Sequence, residues 1–158
     1  MRILAKLLIS IAAMGALPSI AAKHCNRDFR LVAEHPEGMS ATLRPDLGLF
    51  GVAGDTYRLT PCNRDAMMCF SSDYMSFAAP SSATVMHWEN AQGVVFDRAG
   101  SMKIKVAGSD VAVDLIFSTQ KLGNFLFYYN ESNGLVGWQA TAVDANKLWA
   151  EEYVADKL

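Results

Sequence analysis

Residues 101–117 read SMKIKVAGSDVAVDLIF, and no other stretch restricts the fold so strongly. Met102, Ile104 and Val106 alternate with Lys103 and Lys105, the period of a strand with one buried face. Val111, Val113, Leu115 and Phe117 repeat the pattern after Gly108-Ser109. A two-residue loop with glycine first suits a type II′ hairpin turn. In the register this turn sets, Val106 faces Val111, Ile104 faces Val113, and Met102 faces Leu115. Lys103 then meets Asp114 on the opposite face. A slip of one residue would turn the apolar set towards water. The expectation is an antiparallel hairpin with Met102, Ile104 and Val106 pointing inward.

Similar signals flank it. GNFLFYY and LVGWQATA surround Asn130-Glu131-Ser132-Asn133-Gly134, whose closing Asn-Gly suits a left-handed turn residue. Phe125, Phe127 and Tyr129 share one face of that strand and Leu126 and Tyr128 the other, so both faces call for cover. Upstream, TVMHW and GVVFD bracket Glu89-Asn90-Ala91-Gln92, and Asp97 to Gly100 read as a further turn. These pieces predict six antiparallel strands over about 84–141. In the first half, 28–34 and 55–60 read as strands. The glycine- and proline-rich stretch 35–54 reads as loop with one short strand around Leu49, and 77–83 as a connection. Asp144 can cap a helix over about 145–154. The predicted fold is therefore mainly β, an antiparallel meander forming a sandwich or partly closed barrel, with one C-terminal helix.

The chain opens MRILAKLLISIAAMGALPSIAA. Arg2 and Lys6, an apolar run from Leu7 to Leu17, and small residues at Ser19 and Ala21 have the pattern of a cleavable signal peptide over 1–22. The run is too short for a membrane span. A single domain over 23–158, in the periplasm or outside the cell and without stable membrane insertion, is expected. Without its first 21 residues the chain keeps 12 basic and 16 acidic side chains, scattered rather than striped, which argues against nucleic acid as a partner. In an oxidising compartment at least one pair among Cys25, Cys62 and Cys69 would bridge. Cys62–Cys69 closes the shortest loop, with Cys25 as the alternative partner of either.

No G-x-S-x-G, paired aspartate or zinc spacing occurs, so no residue is assigned a catalytic role. His87 reads as a strand histidine. Cleavage after Ala21 would place His24 third in the mature chain, a planar nitrogen set suited to copper. Met67, Met68 and Cys69 offer soft sulfur ligands for the same metal, although methionine is also an ordinary core filler. Tyr128 and Trp138 are the aromatic residues expected to carry a polar tip to a ligand or partner surface. The sequence thus points to an exported, non-catalytic binding or interaction protein engaging an envelope protein or a small ligand, without a required cofactor. A copper-handling envelope protein and a hydrolase with a site formed only in three dimensions are the alternatives.

Overall fold

The structure, a computed structural model, describes residues 26–32, 40–60, 66–80, 82–144 and 147–158. Among the described residues there are twelve strands and no helix. In chain order they are β1 (Arg27–Leu31), β2 (Ser40–Arg44), β3 (Leu49–Val52), β4 (Asp55–Arg58), β5 (Ala66–Ser71), β6 (Ser76–Pro80), β7 (His87–Glu89), β8 (Val95–Val106), β9 (Ser109–Gln120), β10 (Gly123–Asn130), β11 (Gly134–Asp144) and β12 (Lys147–Ala155). Ten form one antiparallel sheet in the order β4-β3-β2-β1-β12-β11-β10-β9-β8-β7, and β5 pairs with β6 alone. The sheet is two meanders, β1–β4 and β7–β12, joined where β1 pairs with β12.

Local turn chemistry builds the meanders. The hairpin of β8 and β9 turns at Ala107-Gly108 rather than Gly108-Ser109, with φ of 48° and 86°. Both residues are left-handed, as a type I′ turn requires. Ile104 therefore faces Val111, Met102 faces Val113, and Lys105 faces Asp110, with an ion-pair contact of 2.7 Å. Lys103 faces Ala112 instead of Asp114. The expected faces survive because each pairing moves by two residues, which preserves parity. Only Val106 of the three expected inward residues is buried; Ile104 is half-buried and Met102 is 46% exposed.

Asp97 to Gly100 do not turn the chain. They lie within β8, where a bulge between Arg98 and Gly100 adds one residue. The bulge reverses the alternation: Phe96 and Arg98 share the core face, whereas Met102, Ile104 and Val106 share the other. The expected C-terminal helix is instead β12, paired with β11 from Gly137↔Val154 to Asp144↔Lys147. Its period is two: Tyr153 and Ala155 are fully buried on one face and Glu152 and Val154 lie on the other. The short strand expected around Leu49 is β3, and the rest of the stretch read as loop also contains β2, because Ala41, Leu43, Phe50 and Val52 alternate inward around the turn at 45–48. The supposed connection after Ser76 is β6. The predicted signal peptide lies outside the described residues.

Most of the core sits on one face of the ten-stranded sheet, while Val106, Val111, Val113, Tyr128 and Val154 are buried on the other. Phe50 on β3 and Trp138 on β11 are four strands apart, about 19 Å in a flat sheet, yet their ring centroids lie 5.8 Å apart. The sheet is therefore strongly curled, with Phe29 against Trp138 at 4.8 Å inside the bend. The β5–β6 hairpin crosses this concave face. Phe77 packs on Phe127 at 4.9 Å, and the Trp88 indole donates to the Ala78 carbonyl at 2.9 Å. The Gln120 side chain accepts from the Ser76 amide and donates to its carbonyl, both at 2.7 Å, and so imitates a strand partner.

Two substitutions test this account. A Cβ on Gly137 would lie 2.5 Å from the Tyr153 carbonyl oxygen and 2.9 Å from Tyr128 Cδ2. Gly137→Ala should therefore lower the unfolding free energy in urea by about 2 kcal/mol or more. Ala107→Asn places a residue tolerant of positive φ in the turn and should raise it by about 0.5–1 kcal/mol. An unchanged urea midpoint in both variants would contradict the register described.

Candidate functional site

The face of the sheet opposite most of the core carries a cleft of about 570 Å³. One wall is β8, with Met102, Lys103, Ile104 and Lys105; the other is Arg30 and Val32 of the β1 segment with Glu152 and Val154 of β12. β8 and β1 are five strands apart in the sheet. They line one cleft because the far end of the long β8–β9 hairpin bends back over this face. The bend follows from the bulge at Arg98, which turns Met102 and Ile104 to the side opposite Phe96.

Period-two alternation also fixes the other wall. Phe29 and Tyr153 point into the core, so Arg30, Glu152 and Val154 point away from it, with Arg30 opposite Val154. Glu152 is held in place. The Tyr128 hydroxyl donates to Glu152 Oε1 at 2.8 Å, and its ring lies across Gly137, where no side chain intervenes. Burial first, then the hydrogen bond and charge of Glu152, raise the Tyr128 phenol above its ordinary range. A shallower cleft of about 350 Å³ shares Val32 and Glu152 and continues the trough past Gln139, Thr141 and Ala150.

The trough is amphipathic. Val32 is 51% exposed and Met102 nearly as much, with Ile104 and Val154 beneath them. Arg30 and Glu152 share this face, whereas Lys103 and Lys105, which also line the cleft, belong to the opposite face of β8. Lys105 is paired with Asp110, and the nearest ion-pair contact of Arg30 is 3.8 Å, to Asp156.

A third cleft, about 400 Å³, lies by Arg98, Asp114, Tyr129 and the 130–132 turn. The Arg98 side chain is nine-tenths buried. It donates to the Ala83 carbonyl and approaches Asp114 at 3.5 Å. These contacts tie residue 83 to the bulge, which is a structural task. Burial, followed by Glu131 and Asp114, raises the Tyr129 phenol, and Arg98 opposes them.

The residues singled out from sequence are dispersed. Tyr128 reaches the main cleft only through its bond to Glu152. Trp138 does not approach solvent: it is fully buried and stacked on Tyr153 at 4.8 Å. Its place on the concave face opposite Phe127 explains this. Met68 is a core residue whose sulfur accepts the Leu135 amide at 3.3 Å. Cys69 is half-buried on β5. Met67 falls on β5, its side chain outside the described residues, as are His24, Cys25 and Cys62. Among the described residues, no three His, Cys, Asp or Glu side chains gather as a metal site. His87 is exposed and paired through Nδ1 with Asp97 at 2.7 Å. No family model, curated protein or solved structure matches the chain.

All five tyrosines, Tyr57, Tyr74, Tyr128, Tyr129 and Tyr153, have phenols raised above the ordinary value, burial being the largest cause in each. A raised folded-state value favours the neutral form. The stability it contributes is complete below the unfolded-state value of about 10 and is lost as pH climbs through the folded-state values. Absorbance at 295 nm should therefore show little tyrosinate near pH 10, and then a rise coincident with loss of the β signal. Free titration of most tyrosines near pH 10 in the folded protein would contradict the burial described.

Proposed function

We propose that the protein is an exported, non-catalytic binding protein whose ligand surface is the trough between the β8–β9 hairpin and β1–β12. The observation that carries this reading is half-exposed Val32 and Met102 lining one cleft of about 570 Å³ with Arg30 and Glu152. That volume falls within the range of about 300–1,000 Å³ used by small-molecule sites. Exposed apolar side chains within a concave surface are worth covering, at roughly 25 cal/mol per Å² removed from water. Glu152, the carboxylate in the main cleft, is engaged by Tyr128, which favours recognition over acid–base chemistry. Export is supported by the leader pattern of residues 1–22 and by Cys69 being half of a disulfide.

Two measurements test the reading. Intact mass of the chain recovered from the periplasm of an exporting host should show loss of the first 21 or 22 residues. Methyl-labelled methionine spectra, recorded during titration with a small-molecule fragment library, should show the Met102 signal moving while fully buried Met75 stays still. An uncleaved product retained inside the cell would refute export. A Met102 signal indifferent to every fragment at millimolar concentration would refute the ligand surface.

A further inference from the structure

We infer that the trough takes an extended peptide segment with alternating apolar and acidic residues, added as a strand to the free edge of β8. The inference rests on the trough being the ligand surface and adds the chemistry of what fills it. Met102, Lys103, Ile104 and Lys105 all line the cleft. One face of a strand presents only alternate residues, so four consecutive ones place the cleft along the edge of β8. That edge has no strand beside it among the described residues. β7 pairs with Val95, Phe96 and Asp97 and reaches no further than the Met86 carbonyl on the Arg98 amide. From Ser101 to Val106, β8 is paired on the β9 side alone.

The register decides which backbone groups face the cleft. Ala107 and Gly108 close the hairpin as a two-residue turn. Val106 and Ser109 therefore exchange both hydrogen bonds, and so does every second pair after them. Val106, Ile104 and Met102 direct their amides and carbonyls to β9, while those of Lys105, Lys103 and Ser101 point away from it, into the cleft. Donors and acceptors at this spacing match an antiparallel strand that prolongs the line of β7. The side chains of such a strand sort into two rows. One row shares the side of Met102 and Ile104, by Val32 and Val154, and is apolar. The other stands opposite Lys103 and Lys105. Opposite charges across a ladder attract and like charges repel, which assigns acidic residues to this row. Lys105 already has Asp110 across the hairpin, whereas Lys103 faces Ala112 and is the more receptive of the two. The same rule disfavours a second copy of this chain, because two β8 edges joined antiparallel bring their lysine rows together.

The test is amide hydrogen exchange of the folded protein, read by NMR, with a synthetic peptide of Val-Glu repeats blocked at both ends. In the free protein the Lys103 and Lys105 amides should exchange fast and the Met102 and Ile104 amides slowly. Saturating peptide should slow Lys103 and Lys105 by at least about tenfold. The Val-Lys counterpart should bind about fivefold more weakly or worse, and Lys103→Glu, at an exposed position, should reverse that preference without moving the melting temperature. Methylating the glutamate backbone nitrogens, which face β8 in an antiparallel addition, should abolish binding. Slow Lys103 and Lys105 amides in the free protein at every concentration would show the edge already covered and overturn the inference. Slowing that grows with protein concentration alone would overturn it in favour of a second copy. Unprotected amides at saturating peptide, alongside a Met102 signal that responds to fragments, would reject strand addition and keep the trough as a ligand surface. Equal binding of the Val-Glu and Val-Lys peptides would reject the acidic partner.

Discussion

The ten-stranded sheet depends on a short ladder. β1 meets β12 at three residue pairs, Phe29↔Ala155, Arg30↔Val154 and Leu31↔Tyr153, extended by the Val32 amide on the Glu152 carbonyl and the Asp156 amide on that of Asp28. All other neighbours in the sheet are consecutive in the chain. This junction alone joins the β1–β4 meander to the β7–β12 meander within the sheet. It is strong for its length because it lies where the curl is tightest. Phe29 brings its ring edge against Trp138, and Trp138 stacks on Tyr153. Such aromatic contacts add about 0.5–1.5 kcal/mol each beyond the area they bury.

The same three pairs place the two faces in opposition. Alternation sends Phe29 and Tyr153 into the concave core and leaves Arg30, Glu152 and Val154 on the outer side. The core face is sealed by the β5–β6 hairpin, held through Gln120, Trp88 and the Phe77 stack. The outer face is covered only in part, by the bent end of β8–β9. Incomplete cover leaves Val32 and Met102 half-exposed in the trough.

The sequence conveys the strand class well and the pairing details unevenly. Around Gly108 the alternation marks the two strands and their shared faces, but two turns fit the same pattern. Ala107-Gly108 prevails although alanine resists positive φ, and it seats Lys105 opposite Asp110. The same Val-Ala-Gly stretch turns the chain between β3 and β4, where Ala53 and Gly54 also have positive φ. Glycines and prolines over 35–54 mask the alternation of Ala41, Leu43, Phe50 and Val52, which is a genuine strand signal interrupted by one turn. At the C-terminus Asp144 and a charged run imitate a capped helix, while Tyr153 and Ala155 obey period two. The trough is illegible for a different reason. Its walls come from residues 30–32, 102–105 and 152–154, brought together by a bulge at Arg98 that reads locally as a turn. The Lys-Ile-Lys triplet signals a strand with one wet face; nothing local reveals that Ile104 is itself only half covered.

The position of β12 bears on how the molecule comes into being. It is the last strand of the chain, yet it lies between β1 and β11, near the middle of the sheet. Until residue 155 has left the ribosome, Phe29 and Trp138 lack the strand that aligns them, and the two meanders have no common ladder. The closing contacts span more than a hundred residues of sequence, a topology that folds slowly because a large loop must close before the contacts reward it. A nascent chain of this kind stays unfinished until β12 has been made. Through that interval the two meanders fold without the ladder that joins them.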